Sequence, residues 1–518
     1  MSTQVAQVAK VAKSSQPMDT VMTVEAVVIN IAQFIHDVAG VLTLLEAVPL
    51  TPLLSSLQRL MERLEMRTEA PSCWPHLSVL GLKRKDRAAA LAAMPAIASV
   101  RAEDVFFRNF ERCDVPCSAA FLDFLCATAD KWPAKLSRVG LSMPPSDDDV
   151  ARVCRALRRC DHLGSIQVNA VDQCHTSVLE AAHHIRCLEW VYDGYSSVVA
   201  RALMWSAAIT AWLIAGPTTH IGFHRLDFTS YSSAGPLWSL HDDDLAFAKA
   251  LATVPSLTLQ GADSIADMLV GLHTPLHALT QLSINAEDVA RVEGLFGLVD
   301  LAKITHLDIT LRGRQQDLLS CFGAALPQLT SLQELRLDGM ALAEATTTSL
   351  RVVCIDNVEC SELAAHRLLQ WISSSPCLNE VSWYGLEYAD ILYTELATNL
   401  RSWIDVGVHR VGLTRAGLDD AGATEMAQVL RDTHHASGLM LDFRFNDFLD
   451  VDGARELINA LGTCSNVTLA LDLSDTTPVE TFAELFASHN LTWRIKYDEQ
   501  NMCDFLSVSS QTTQRRAT

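Results

Sequence analysis

One pattern recurs along this chain and limits what it can fold into: a short apolar strand of the form L-x-x-L-x-L, then a polar turn, then an amphipathic helix. Leu332-Gln333-Glu334-Leu335-Arg336-Leu337-Asp338 is the clearest copy, and Leu279 to Asn285, Ile304 to Thr310 and Phe223 to Thr229 read alike. From Leu226 the central apolar positions fall at Leu257, Leu282, Leu307, Leu335, Val353, Val381, Val411, Leu441 and Leu471, in steps of 31, 25, 25, 28, 18, 28, 30, 30 and 30 residues. Most steps hold a strand and a full helix, but the step of 18 into Val353 is too short for one and predicts an irregular unit or a misread strand. Weaker copies precede these at Leu77 to Leu82, Leu136 to Leu141, Leu163 to Asn169 and Ile185 to Val191. No such unit can bury its apolar face alone, so each is stabilised by its neighbours in a solenoid, whose function lies in its surface.

The C-terminal copies are specific enough to suggest a family. Val411-Gly412-Leu413, then Gly417-Leu418-Asp419-Asp420-Ala421-Gly422-Ala423, Met426-Ala427 and Val429-Leu430, resembles the ribonuclease-inhibitor-like subclass of leucine-rich repeats. The next copy agrees: Leu441-Asp442-Phe443-Arg444-Phe445-Asn446 carries L-x-L-x-x-N, and Gly453-Ala454, Leu457 and Ala460-Leu461 supply the helix signature. The resemblance implies that the Asn hydrogen-bonds backbone in the turn leaving the strand, and that the Gly-Ala pair lets helix and strand layers pack closely. It covers roughly residues 75–497, strongly after about 220, and departs from the subclass in lacking the Asn in most copies. The implied fold is α/β: a curved parallel sheet on the concave face, helices on the convex face, in about eleven to fourteen units.

Strand alternation then places the candidate binding surface. Residues flanking the central apolar position point away from the core and align as columns on the concave face. One column is Arg225, Gln281, His306, Glu334, Glu380 and Arg410. The next is Asp227, Ser283, Asp308, Arg336, Ser382 and Asp442, and the third is Thr229, Asn285, Thr310, Asp338, Tyr384 and Arg444. Nearly all are polar, as any solvated face requires; Tyr384, Arg336 and Arg410 are the expected anchors, because aromatic and Arg side chains dominate interface energetics.

The N-terminus differs. Residues 1–20 read as disordered, and Val24 to Arg67 carries helical spacing instead of the strand pattern: Val27, Val28, Ile31, Phe34 and Ile35, then Val41, Leu42, Leu44 and Leu45, then Leu53, Leu54, Leu57, Leu60 and Leu64. Three short helices joined at Asp37 to Gly40 and Val48 to Pro52 fit best. This module, 21–67, resembles a degenerate F-box. The resemblance implies a docking site for the Skp adaptor of cullin-RING ubiquitin ligases, carried by Val28, Ile31, Phe34 and Leu45. The usual opening Leu-Pro is replaced by Val27-Val28, and the closing Trp could only be the late Trp74. A cap over the open end of the solenoid is the other reading.

Composition narrows the function. A net charge of −21 argues against nucleic acid, whose binding is led by phosphate neutralisation, and favours basic or neutral protein partners. Fourteen scattered cysteines, with Cys113/Cys117 and Cys154/Cys160/His162 the nearest approach to metal spacing, read as buried thiols in a reducing compartment, with no metal and no cofactor. The first 16 residues, polar with Lys10 and Lys13, carry no secretory pattern, so the expected location is cytoplasmic, with the nucleus left open. The apolar run 202–216 is too short to span a bilayer and reads as a buried helix, or an irregular insertion in the long step from Leu188 to Leu226. Ser146-Asp147-Asp148-Asp149 and His241-Asp242-Asp243-Asp244 read as helix N-caps, and His183-His184 and His434-His435 as solvated helix ends. No H-E-x-x-H, G-x-S-x-G or phosphate loop is present, so no enzyme is expected. The expected organisation is the helical module, a solenoid over 68–497 and a disordered tail over 498–518. The expected role is protein recognition, either as a ubiquitin-ligase substrate receptor or as a stand-alone scaffold; an enzyme of unknown reaction is the reading from another class.

Overall fold

The computed structural model describes residues 18–35, 38–65, 74–79, 82, 84–103, 118–141, 146–170, 175–192, 199–216, 218–224, 242–286, 289–311, 325, 328–338, 349–356, 362–385, 389–433, 438–446, 449–472, 478–498 and 503–510. It divides into two compact units, 1–254 and 255–518, so the division falls inside the array that the sequence treats as one. Both units have the same plan: parallel strands buried on one face against a layer of helices, the leucine-rich-repeat arrangement.

The first unit opens with α1 (Met18–Phe34), α2 (Val38–Glu46) and α3 (Pro52–Glu65), three helices as the apolar spacing predicts, although α1 begins at Met18, inside the stretch 1–20 expected to be disordered. Strands β1 (His76–Ser78), β2 (Ser99–Glu103), β3 (Leu136–Leu141), β4 (Ser165–Ala170), β5 (Cys187–Tyr192) and β6 (His220–His224) then pair in sequence order, all parallel. Val139, Ile166, Leu188 and Ile221 form one buried row and Leu141, Val168, Trp190 and Phe223 the next. Two corrections arise here. Strand β2 has no counterpart in the sequence reading, because only Val100 and Ala102 of it are apolar. The unit expected at Leu226 sits instead on Ile221, which pairs with Leu188; Leu226 itself lies outside the described residues.

That shift also explains the apolar run. Helix α8 (Val199–Ala215) is the helix of an ordinary repeat and not an insertion: it packs beside α7 (His175–Ala181) and α9 (Asp242–Leu251). Its Ile209, Trp212 and Leu213 are buried, and the Trp212 indole N–H donates to the carbonyl of Ala182 at 3.0 Å. Among the described residues no helix is long and apolar enough to cross a membrane. Helix α6 (Asp147–Arg159) starts as its carboxylates predict, with the Ser146 hydroxyl accepting from the Asp149 N–H.

The second unit contains β7 (Ser256–Gln260), β8 (Gln281–Ala286), β9 (His306–Leu311), β10 (Glu334–Asp338), β11 (Val352–Asp356), β12 (Glu380–Tyr384), β13 (Arg410–Thr414), β14 (Leu439–Asp442) and β15 (Val467–Leu471), again parallel and in order. Leu257, Leu282, Leu307, Leu335, Val353, Val381, Val411, Leu441 and Leu469 share one register and are each at most 2% exposed. The short step into Val353 is therefore real, since Val353 pairs directly with Leu335. The last centre is Leu469, not Leu471, because Leu469 is the residue opposite Leu441.

The end of the chain departs from the expected tail. Strand β16 (Thr492–Asp498) and strand β17 (Cys503–Ser509) form an antiparallel hairpin, and β17 adds antiparallel to β15. Leu506 and Val508 alternate with polar residues and are fully buried, so this segment has the apolar face that ordering requires.

Candidate recognition surface

The register of the second unit brings the expected columns together. Gln281, His306, Glu334, Glu380 and Arg410 stand in one row, with Val352 between Glu334 and Glu380. Ser283, Asp308, Arg336, Ser382 and Asp442 form the second, with Cys354 and Gly412 interleaved. Asn285, Thr310, Asp338, Asp356, Tyr384 and Thr414 form the third. Asp356 is absent from the expected columns because the short step of 18 into Val353 marks β11 as an irregular unit or a misread strand. The same two-residue period, applied to Arg351 to Asp356, finds it. Arg225, Asp227 and Thr229 lie outside the described residues.

Much of this face is already paired across strands. Within β10, Arg336 Nε donates to Glu334 at 2.7 Å, and across to β9 the His306 ring lies 3.8 Å from Glu334. Arg410 is 3.4 Å from Glu380, and the Ser283 hydroxyl donates to Asp308 at 3.1 Å. Burial pushes the Asp308 carboxyl up, against that hydrogen bond and the field of Arg336. Asp356 is pushed to about 6 by burial and then by Asp338, its register neighbour. Tyr384 accepts at its hydroxyl from Arg415 at 3.2 Å.

Two expected members do not belong to an open surface. Asp442 is 4% exposed and holds Arg444 in a two-bond clamp, Nε and Nη2 each at 2.8 Å, while the guanidinium lies 4.5 Å over the Phe505 ring. The strand ends at Asp442, so the Arg444 side chain folds back instead of continuing the row.

The adaptor candidates divide similarly. Val28 is 2% and Leu45 0% exposed, so neither can meet a partner; both are consumed in the module's own packing. Ile31 is half-buried and Phe34 is 81% exposed. The module is fastened to the first repeats: Trp74 donates its indole N–H to Ala32 at 2.7 Å, and the Gln33 amide donates to Ala96 at 2.8 Å.

The first unit holds a polar cluster that the sequence did not reveal. Glu189 sits opposite Gly222, and its two carboxylate oxygens accept from His220 Nε2 at 2.7 Å and His224 Nε2 at 2.6 Å. Burial would raise this carboxyl, but the two histidine bonds override it and hold it down at about 2. A Cβ on residue 222 would lie 1.8 Å from Glu189 Oε2, so glycine makes the space. Among the described residues no group of His, Cys, Asp and Glu could hold a metal ion. Cys160 donates its thiol to Ala156, and burial pushes it up to about 11, far from a reactive thiolate. Cys113, Cys117, His434 and His435 lie outside the described residues, while His183 and His184 cap carbonyls just beyond α7.

No family model matches this chain, and no curated protein matches it. Among solved structures it is similar to a crystal structure of a TLR13–ssRNA13 complex, at 13% identity and a TM-score of 0.31, over 70% of this chain and 55% of that one. The chain thus spans about half the length of that neighbour, and so loose a superposition says nothing about what is bound.

Proposed function

We propose that the exposed strand face of residues 255–518 recognises a protein, and that its centre receives a Lys or Arg side chain beside Asp338 and Asp356. The observation that carries this reading is the register: three straight rows of side chains from β8 to β13, polar except at Val352, Cys354 and Gly412, stand over a core of buried Leu, Val and Ile. A partner covering about 800 Å² of such a face meets side chains whose spacing is fixed by backbone pairing, so little entropy is lost in ordering them. Asp356 and Asp338 repel one another, and a cation set between them relieves that repulsion. Tyr384, next along the row, supplies an aromatic anchor. The test is crosslinking mass spectrometry of the native protein, followed by affinity measurement. Crosslinks should map to β8–β13, and Tyr384→Ala with Asp356→Asn should weaken binding by about tenfold or more. Crosslinks confined to the helices, or unchanged affinity, would overturn it.

A second reading is favoured by Val27 and Phe34. They are 46% and 81% exposed and lie seven residues apart on α1, on one stripe with Ile31. On this reading the module caps the repeats with its buried face and, in line with its F-box resemblance, offers this stripe to a Skp-type adaptor. The adaptor should co-purify with the intact chain and be lost on Phe34→Ala. Its absence, beside an F-box control that succeeds, leaves the module a cap alone.

A further inference from the structure

The sheet of the second unit ends on an exposed strand. Strand β16 is seven residues long, contains no proline, and among the described residues pairs only with β17. Its other edge presents a row of backbone N–H and C=O groups, which is a template for an added strand. Thr492 to Lys496 are all exposed, with Trp493 at 44% and Ile495 at 46%.

The two faces of this edge differ. Trp493 stacks on Phe486 of α16 (Ala483–Ser488), with ring centroids 5.7 Å apart, so the side carrying Trp493 and Ile495 is the helix side. Arg494 lies on the opposite side. It is in register with Ser507, which pairs with Ala470, which pairs with Asp442. Lys496, two residues on, lies on that side too and pairs with Phe505, against which Arg444 stacks. In an otherwise acidic chain the exposed edge of this sheet therefore carries two adjacent cations, Arg494 and Lys496, with Asp498 at its far end, beside an apolar pair.

Charges on an edge strand ordinarily deter pairing between copies. Here they do so specifically, because antiparallel pairing of β16 with a second β16 about Ile495 would set Arg494 against Lys496. The same charges favour a strand of opposite sign. We propose that β16 is a docking edge for an extended acidic peptide. The peptide adds antiparallel, with carboxylates opposite Arg494 and Lys496 and apolar side chains beside Trp493 and Ile495. This inference is independent of the face proposed above, which selects a basic group.

The test uses the full-length protein and fluorescently labelled decapeptides at low salt. The probe alternates Glu and Val; one control replaces every Glu by Lys, and another replaces alternate Val by Pro to remove backbone donors. Anisotropy should rise with the Glu-Val peptide alone, and hydrogen exchange should slow in the segment 492–498. The variant Arg494→Glu with Lys496→Glu should bind at least about tenfold more weakly, with an unchanged circular dichroism spectrum. Equal binding of the proline peptide, or of the Lys peptide, would overturn the proposal, as would charge-reversal variants that bind normally. Wild-type self-association abolished by those reversals would assign the edge to a second copy and overturn it as well. Should the double variant not fold, the single variants Arg494→Gln and Lys496→Gln keep the test open, each expected to weaken the Glu-Val peptide and neither to affect folding.

Discussion

Glu189, Gly222, His220 and His224 show how one missing side chain sets a local charge state. Gly222 leaves room for the carboxylate to lie across its strand and meet both imidazoles. Gly222→Ala should displace Glu189, cost about 1–3 kcal/mol through the lost charge-assisted bonds, and lower the melting temperature of the first unit. The pH dependence follows from the direction of the shift. Glu189 ionises at about 2 in the folded protein against an ordinary 4.5, so its contribution is fully present above 4.5 and is lost as pH falls from 4.5 towards 2. Thermal melts from pH 6 to pH 2.5 should therefore show a steeper acid loss in the parent than in Glu189→Gln. Parallel acid limbs in the two proteins would mean that the histidine bonds do not persist in solution. No part of this cluster is legible in the sequence, since Glu189 and His220 are separated by a whole repeat and only pairing shows that they meet.

At the scale of the element, the turn after β14 is held by one asparagine. Asn446 is 7% exposed; its carbonyl oxygen accepts from Ala416 and Leu418 at 2.9 and 3.0 Å, and its amide donates to Leu413 and Phe443, each at 2.8 Å. One side chain thus satisfies backbone groups of two successive repeats, as an L-x-L-x-x-N motif leads one to expect. The Gly-Ala pairs act likewise: a Cβ on Gly453 would lie 2.3 Å from the Asp420 carboxylate oxygen, which accepts from the N–H groups of Asp450 and Gly453 and so joins α14 (Asp420–Asp432) to α15 (Val451–Leu461). Asn446→Ala should cost roughly 3–5 kcal/mol in urea denaturation, because several buried backbone groups lose their partner together. A cost under about 1 kcal/mol would show that water replaces the amide there.

At the scale of the molecule, the repeat period carries most of the architecture. The centres at Leu257, Leu282, Leu307, Leu335, Val353, Val381, Val411 and Leu441 are the residues that share one register, and the three N-terminal helices fall where their apolar spacing places them. Periodicity is a local property: it reports which side of a strand or helix a residue faces, because the backbone geometry of that element fixes the direction. The strand-and-helix repeat, the inward rows and the outward columns thus follow from the local residue pattern alone. Other features depend on atoms brought from a repeat away. They include the register that moves the sixth strand to Ile221 and the last centre to Leu469, and the burial that removes Val28, Leu45 and Asp442 from any surface. The clamp on Arg444 and the hairpin that draws part of the expected tail into the sheet as β17, leaving β16 on the edge, belong with them. These features arise on folding, because pairing, desolvation and charge neighbours are set by contacts between segments that the local pattern does not relate.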